Sequence, residues 1–393
     1  MWKKTWNLYA VNGMYYVTMS LFSPYISSYY ASRGMNESQI GILSAIIPLS
    51  SLLIQPLWAR ISDRTGKRRG VLLFLCAGCA VAVLLFLKAE HFIEFMVVVF
   101  LYSVFYSALL PLSDALTLKA AEKEKADFSR IRMSGTLCYA FVVVIAGFYL
   151  KKHLRVMFIL DSIAFLIFLL CCSTLKDVDA EKKKQTVVKK AGKENRCEPL
   201  FRSKMIIVVL TCAFALQLSL NYHGTFLGVY LLDLGHSQTL MGIMSCISAL
   251  SEVPALLVIK RLHKRFSPEA LLVIAVLLGA VRLIMAASGW IVLVLAEHLL
   301  QGVSFMVCYL TCVTYINEQV QKDRISQGQS MLSLAQNGLG AICGTLLGGV
   351  VAQNLGIQAG FLVMAIIPIC IAVCAVFTGR WIRDKEGGKY NEV

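Results

Sequence analysis

A few ionisable and polar side chains interrupt long apolar runs in this chain, and they are the residues able to do chemistry there. Asp114 and Arg132 flank a basic hairpin at matching shallow depth. They form a carboxylate–guanidinium pair that either takes part in ligand binding or sits as an interfacial ion pair snorkelling to water. Tyr139 follows Arg132 by seven residues, about two helical turns, and so shares that face deeper in. It serves there as packing or as a platform on which a ring stacks. Further along stand Glu252, Arg282, Glu297 and His298. Arg282 and Glu297 lie at similar depth on two runs joined by a very short loop and are expected to pair. Gln301, at i+4 from Glu297 and i+3 from His298, extends a polar stripe along one face. A buried carboxylate that loses its partner takes up a proton. The group therefore reads as a proton carrier, with a structural ion pair as the alternative. Asn221, Tyr222 and His223, with Asn12, Tyr15 and Tyr16, are polar groups expected to line a cavity. A charge inside a membrane span costs about 2.5–3.5 kcal/mol on insertion scales, so each one calls for a reason.

The elements that must hold these residues follow from composition. Of 393 residues, 58% are hydrophobic and only 16% charged, against about 45–50% and about 25% in soluble domains. That excludes a water-soluble enzyme and a disordered chain, and leaves a polytopic membrane protein. A spanning helix takes about 20 apolar residues. Twelve such runs fall near 5–32, 38–60, 69–88, 92–120, 129–150, 154–174, 203–232, 238–260, 268–288, 290–317, 326–353 and 357–381. They lack the strict alternation of barrel strands, so they are helices. The first has Lys3 and Lys4 before it, as a signal peptide would, but it continues past Tyr16 and Pro24 to Arg33, too long for that role.

The net charge of +15 sits in alternate loops. Basic residues gather at Arg60–Arg69, Lys119–Arg132, the 176–204 segment, Lys260–Arg265, Lys322 with Arg324, and Arg380 with Arg383. The opposite loops are nearly free of them, apart from Lys151, Lys152 and Arg155. This is the bias that marks cytoplasmic loops, and it places both termini and the central linker in the cytoplasm of a cell-membrane protein. A lipid bilayer, not nucleic acid, accounts for the charge. Of the 13 cysteines only Cys197 lies outside the apolar runs. Cys76 and Cys79 have zinc-like spacing, but they stand mid-run with no second pair, so packing thiols are expected and no metal or disulfide. No G-x-x-x-x-G-K-[ST] loop is present for ATP. No loop is long enough for a separate catalytic domain, and no nucleophile–base spacing stands out. An enzyme is not expected.

The polar segment 176–202 divides the chain into an expected six-helix bundle over 1–175 and another, with a short tail, over 203–393. The halves share a faint repeat. At an offset of 201, Gly41, Ile42, Ser44, Ile46, Leu49 and Ser50 meet Gly242, Ile243, Ser245, Ile247, Leu250 and Ser251. A parallel repeat of this kind is found in two-bundle secondary transporters.

Between the second and third runs the chain reads Arg60-Ile-Ser-Asp63-Arg64-Thr-Gly66-Lys67-Arg68-Arg69. Gly66 supplies the permissive turn backbone, Asp63 can accept from the N–H groups of a neighbouring helix start, and the basic residues anchor the hairpin at the membrane face. Here the sequence resembles the major facilitator superfamily, whose loop at this place reads G-x-L-x-D-R-x-G-R-R, with Ala59 replacing the leading glycine. The resemblance implies that Asp63, Arg64, Gly66, Lys67 and Arg68 form a gating loop. Gly41 to Arg69, Pro111 to Ala115 and Phe128 to Met133, with Gly135 and Tyr139, resemble the lactose permease branch, the oligosaccharide–proton symporters and their nucleoside and phenylpropionate relatives.

The resemblance implies an all-α membrane protein of twelve transmembrane helices in two six-helix bundles related by pseudo-two-fold symmetry. It implies substrate binding by Asp114, Arg132 and Tyr139, with Asn221 and His223 beside them, and proton coupling through Glu252, Arg282, Glu297, His298 and Gln301. It also allows Arg282 to reach Glu252. The chain departs from lactose permease at that protein's proton-binding carboxylate, matched by Gly302, and at its helix 10 histidine, one residue from His298. It departs again at His223, Phe226 and Gln336, where charged residues are replaced together. The expectation is proton-coupled symport of a small polar solute by a monomer, driven by the proton gradient without a cofactor. Proton-driven efflux of drugs or metabolites is the alternative, and a channel, scramblase or sensor a more distant one.

Overall fold

The computed structural model describes residues 2–175, 205–320 and 324–387. The expected linker with Cys197, and Lys322, lie outside the described residues. All regular structure among the described residues is helical, the form in which a chain within lipid satisfies its own backbone. The helices are α1 (Trp2–Phe22, continued by Ile26–Ser32), α2 (Glu37–Thr65), α3 (Arg68–Leu85), α4 (Phe92–Lys123), α5 (Phe128–Leu150) and α6 (Val156–Ser173). The second half supplies α7 (Ile206–Asp233), α8 (Gln238–Arg265), α9 (Pro268–Ala287), α10 (Ile291–Gln319), α11 (Ile325–Leu355) and α12 (Ile357–Gly387). Eleven of them, α2 to α12, are long and apolar enough to cross a membrane. The 21 residues Trp2–Phe22 of α1 have the length too, but with Asn7 and Asn12 among them they fall short in apolarity. Side chains such as Ile93, Phe141 and Leu257 are at least 70% exposed, as lipid-facing residues must be.

The first run is not the single helix its hydrophobicity predicts. It breaks at Ser23–Tyr25, where Pro24 lacks the N–H that would continue the ladder. Pro48, Pro56, Pro254 and Pro368 are carried inside helices without a break. Lys260–Arg265, read as a loop, completes the last turn of α8. The next helix then starts on Ser267, whose side chain accepts from the Ala270 N–H, with Pro268 at the first helical position.

Two compact units emerge from the contacts: Met1–Met35, Ile46–Arg196 and Gly235–Cys246 in the first, and Asn36–Ala45, Cys197–Leu234 and Ile247–Val393 in the second. The first is cored by aromatic rings. Phe22 stacks on Tyr102 at 4.8 Å and Phe86 on Phe158 at 5.0 Å, all fully or nearly fully buried. The second is cored by smaller side chains of α7, α9, α10 and α12, among them Cys212, Ala213, Ala275, Cys308 and Ala372. Small residues let transmembrane backbones approach closely.

The faint sequence repeat has a packing counterpart. A Cβ at Gly41 would lie 2.5 Å from the Thr345 carbonyl oxygen, and one at Gly242 would lie 2.5 Å from that of Val143. Val143 and Thr345 are 202 positions apart, one more than the two glycines. The two repeats therefore use the same glycine for the same close approach, once within each unit.

Candidate functional site

Two polar centres emerge, one in each unit. The centre of the second unit is built on a change of helix type. Helix α10 begins as an α-helix over Ile291–Ala296, tightens to a 3-10 turn over Glu297–Leu300, and resumes at Gln301. Such a turn inside a long helix often marks a functional position. Here it carries Glu297 and His298, both buried.

Arg282 of α9 donates from Nε to Glu297 Oε2 at 2.7 Å and to the Glu297 carbonyl oxygen at 3.3 Å. Glu297 Oε1 lies 2.6 Å from Nε2 of His223 on α7 and 2.8 Å from Nδ1 of His298. The same Nδ1 is 2.8 Å from the Val294 carbonyl oxygen. Carboxylate, guanidinium and two imidazoles thus share one dry pocket, with the two histidine rings 5.3 Å apart. A proton added to such a cluster belongs to the group rather than to one residue.

The expected pairing of Arg282 with Glu297 is present, and Arg282 is not given to Glu252, which is half-buried on α8. His223, expected beside the substrate, belongs to this cluster instead. Gln301 does not: its side chain makes no hydrogen bond among the described residues. The reason is geometric. Four α-helical steps bring a residue back to within about 40° of its starting direction, whereas four 3-10 steps leave it about 120° away. The turn therefore carries Gln301 off the face of Glu297, while three 3-10 steps keep it in line with His298. Asn221 is half-buried and donates to the Gln217 carbonyl one turn back, at 2.8 Å.

The nearest ligand atoms of His223, Glu297 and His298 lie within 4.8 Å of one another and could hold a metal ion. Arg282 already occupies the other carboxylate oxygen, and its positive charge opposes a divalent cation there.

Gly302 sits directly after this centre. A Cβ there would stand 2.0 Å from the Ser251 carbonyl oxygen, while the Gly302 N–H donates to Ser251 Oγ at 2.9 Å. Helices α8 and α10 touch backbone to backbone at this point. No carboxylate-bearing side chain fits where the lactose permease pattern has one.

The centre of the first unit is more open. Arg132 of α5 donates to Asp114 Oδ2 of α4 at 2.9 Å, and Asn12 of α1 donates to Oδ1 at 3.5 Å. The side chains are 51% and 21% exposed for Arg132 and Asp114, so a solute can reach them. Gly135 makes the room: a Cβ there would lie 2.5 Å from Asn12 Oδ1 and 2.3 Å from the Tyr16 ring. Tyr139 stands half-buried one turn beyond Gly135. Asn12 entered the reading only as a cavity-lining group, because an amide in an apolar run costs less than a charge and signals less.

In the hairpin between α2 and α3, Gly66 takes the turn with φ of +65°. Asp63 accepts from Arg68 at 2.9 Å rather than from a helix N-terminus. Arg69 donates to the Ser173 carbonyl at the end of α6. Arg64 and Lys67 are exposed.

Known proteins resemble this architecture over nearly its whole length. The model of the MFS_1 like family matches residues 5–363. A maltose permease of Geobacillus stearothermophilus is 28% identical, over 93% of this chain and 92% of its own. A probable 3-phenylpropionic acid transporter of Escherichia coli strain K12 is 27% identical, over 90% and 93%. The crystal structure of the nucleoside transporter NupG superposes with a TM-score of 0.82 over 95% of this chain and 98% of that one, at 17% identity.

Proposed function

The chain belongs to the MFS_1 like family of major facilitator transporters, and from that premise we propose proton-coupled symport of a small polar solute. It is a multi-pass membrane protein and a secondary transporter. We place it as a monomer in the cytoplasmic membrane, and the distribution of basic loops supports cytoplasmic placement of both termini. Among its relatives are a maltose permease and a probable phenylpropionic acid transporter, and one structural neighbour is a nucleoside transporter. A hydroxyl-bearing sugar or nucleoside suits the Asp114–Arg132 pair, which offers an acceptor and a fan of donors at 2.9 Å from one another. Tyr139 supplies a ring face on the same helix.

The observation that carries the proton reading is the buried cluster around Glu297. Its carboxylate meets one permanent cation, Arg282, and two imidazoles whose charge depends on protonation. A proton entering the cluster changes its net charge by one without disrupting the Arg282 pair. Loading it favours solute binding, and its release resets the carrier. The family consists of transporters and the sites described are binding sites, so we infer no enzymatic activity and no cofactor beyond the proton gradient.

The test is uptake of radiolabelled maltose, uridine and 3-phenylpropionate into proteoliposomes, with and without an inward proton gradient. Wild-type protein is expected to accumulate one polar member only with the gradient. Asp114→Asn should bind none of it, while Glu297→Gln should still exchange it but no longer accumulate it. Extrusion of lipophilic cations with no uptake of the panel would replace this reading with efflux.

A further inference from the structure

The first unit holds a fully buried carboxyl group of its own. Asp161 stands five residues after Val156 in α6 and is 0% exposed. Neither of its oxygens has a hydrogen-bond partner, and no basic side chain pairs with it among the described residues. Its electrostatic neighbours are Cys79 of α3 and Tyr102 and Tyr106 of α4, none of them a cation. The next residue, Ser162, spends its hydroxyl on the Ala80 carbonyl at 2.8 Å, and Phe165 one turn on packs against Tyr102.

An ionised carboxylate in such a place is among the most expensive arrangements a protein can hold, and the group stays neutral by keeping a proton. Glu297 makes the contrast. It is equally buried, yet it meets an arginine and two histidines. The same principle that singles out Glu297 in the sequence applies to Asp161, which interrupts an apolar run just as plainly.

We propose that Asp161 is a second proton-binding site, occupied at neutral pH and separate from the Glu297 cluster. Loss of the Asp161 proton would leave an ionised carboxylate with no partner in this state, so the proton is released only in a state of the carrier that brings the group water or a cation.

The proposal rests on the proton-coupled reading for its transport arm alone. The first arm is infrared difference spectroscopy of the purified full chain at neutral pH. The carbonyl stretch of a protonated carboxyl group is expected in the wild type and lost in Asp161→Asn. The second arm repeats the proteoliposome panel of maltose, uridine and 3-phenylpropionate. Asp161→Asn, which copies the shape of the neutral acid, should keep substrate exchange but lose gradient-driven accumulation. Retained exchange separates lost coupling from a misfolded protein. Absence of the band in the wild type overturns the site. Normal accumulation in Asp161→Asn overturns its part in coupling. A wild type that never responds to the gradient sinks the symport reading instead, while the band still decides whether Asp161 holds a proton.

Discussion

Asp114–Arg132 and Glu297–Arg282 are the same two chemical groups at almost the same separation, 2.9 and 2.7 Å, in opposite surroundings. In the first unit the guanidinium is half exposed, and Asn12 is among the pair's further polar neighbours. In the second unit both partners are at most 3% exposed and two histidines complete the shell. The difference is one of cost and availability. A pair that solvent reaches contributes little to stability and can exchange its partner for a solute. A dry pair is held together because separating it strands a charge. Identical chemistry thus suits recognition in one place and charge storage in the other, and burial decides which.

The comparison is tested hardest at Arg282. Replacing it with Met leaves Glu297 without its permanent cation and should destabilise the protein by about 3–5 kcal/mol. Thermal unfolding in detergent would show a large drop, and adding Glu297→Gln should recover much of it. An unharmed Arg282→Met would mean that the histidines alone compensate the carboxylate.

Gly302→Ala tests the backbone that frames the same centre. Its Cβ would stand 2.0 Å from the Ser251 carbonyl, and overpacking of this kind costs about 1–3 kcal/mol. The same unfolding measurement reads it, with impaired proton-driven uptake expected as α8 is pushed from α10.

At the open pair the signs separate. Arg132→Gln should change stability by less than about 1 kcal/mol but abolish solute uptake. A large stability loss with uptake retained would turn Asp114–Arg132 into a structural pair and erase the contrast. The smallest effect is expected at Asp63. Its bridge to Arg68 is 65% exposed on the acid side, so Asp63→Asn should shift unfolding by no more than about 0.5 kcal/mol. Any change there belongs in the transport rate.

Some of this was legible from residue types because the cost of misplacing them in lipid is so large. The number of spans, the basic loops, the turn at Gly66 and the pairing of Arg282 with Glu297 all follow from hydropathy, charge and counting along helices. Counting assumes a uniform helix, and it fails where the helix is not uniform. Nothing in Glu297-His298-Leu299-Leu300 announces a 3-10 turn, and that turn removes Gln301 from the face of Glu297. The break at Ser23–Tyr25 had a signal in Pro24, but four other prolines carry the same signal inside unbroken helices.

The sequence alone determined that this chain lives in a membrane, how many times it crosses, and which residues are too costly to be there without a reason. Those are one-dimensional properties, fixed by transfer free energies and the length of a span. Only the tertiary structure decided the company each costly residue keeps. It brought His223 from α7 to Glu297 on α10, gave Asn12 to Asp114, and left Asp161 with no hydrogen-bond partner among the described residues. Hydrogen bonds act over about 3 Å between groups far apart in the chain. No periodicity along one helix can say which group on another helix will stand opposite.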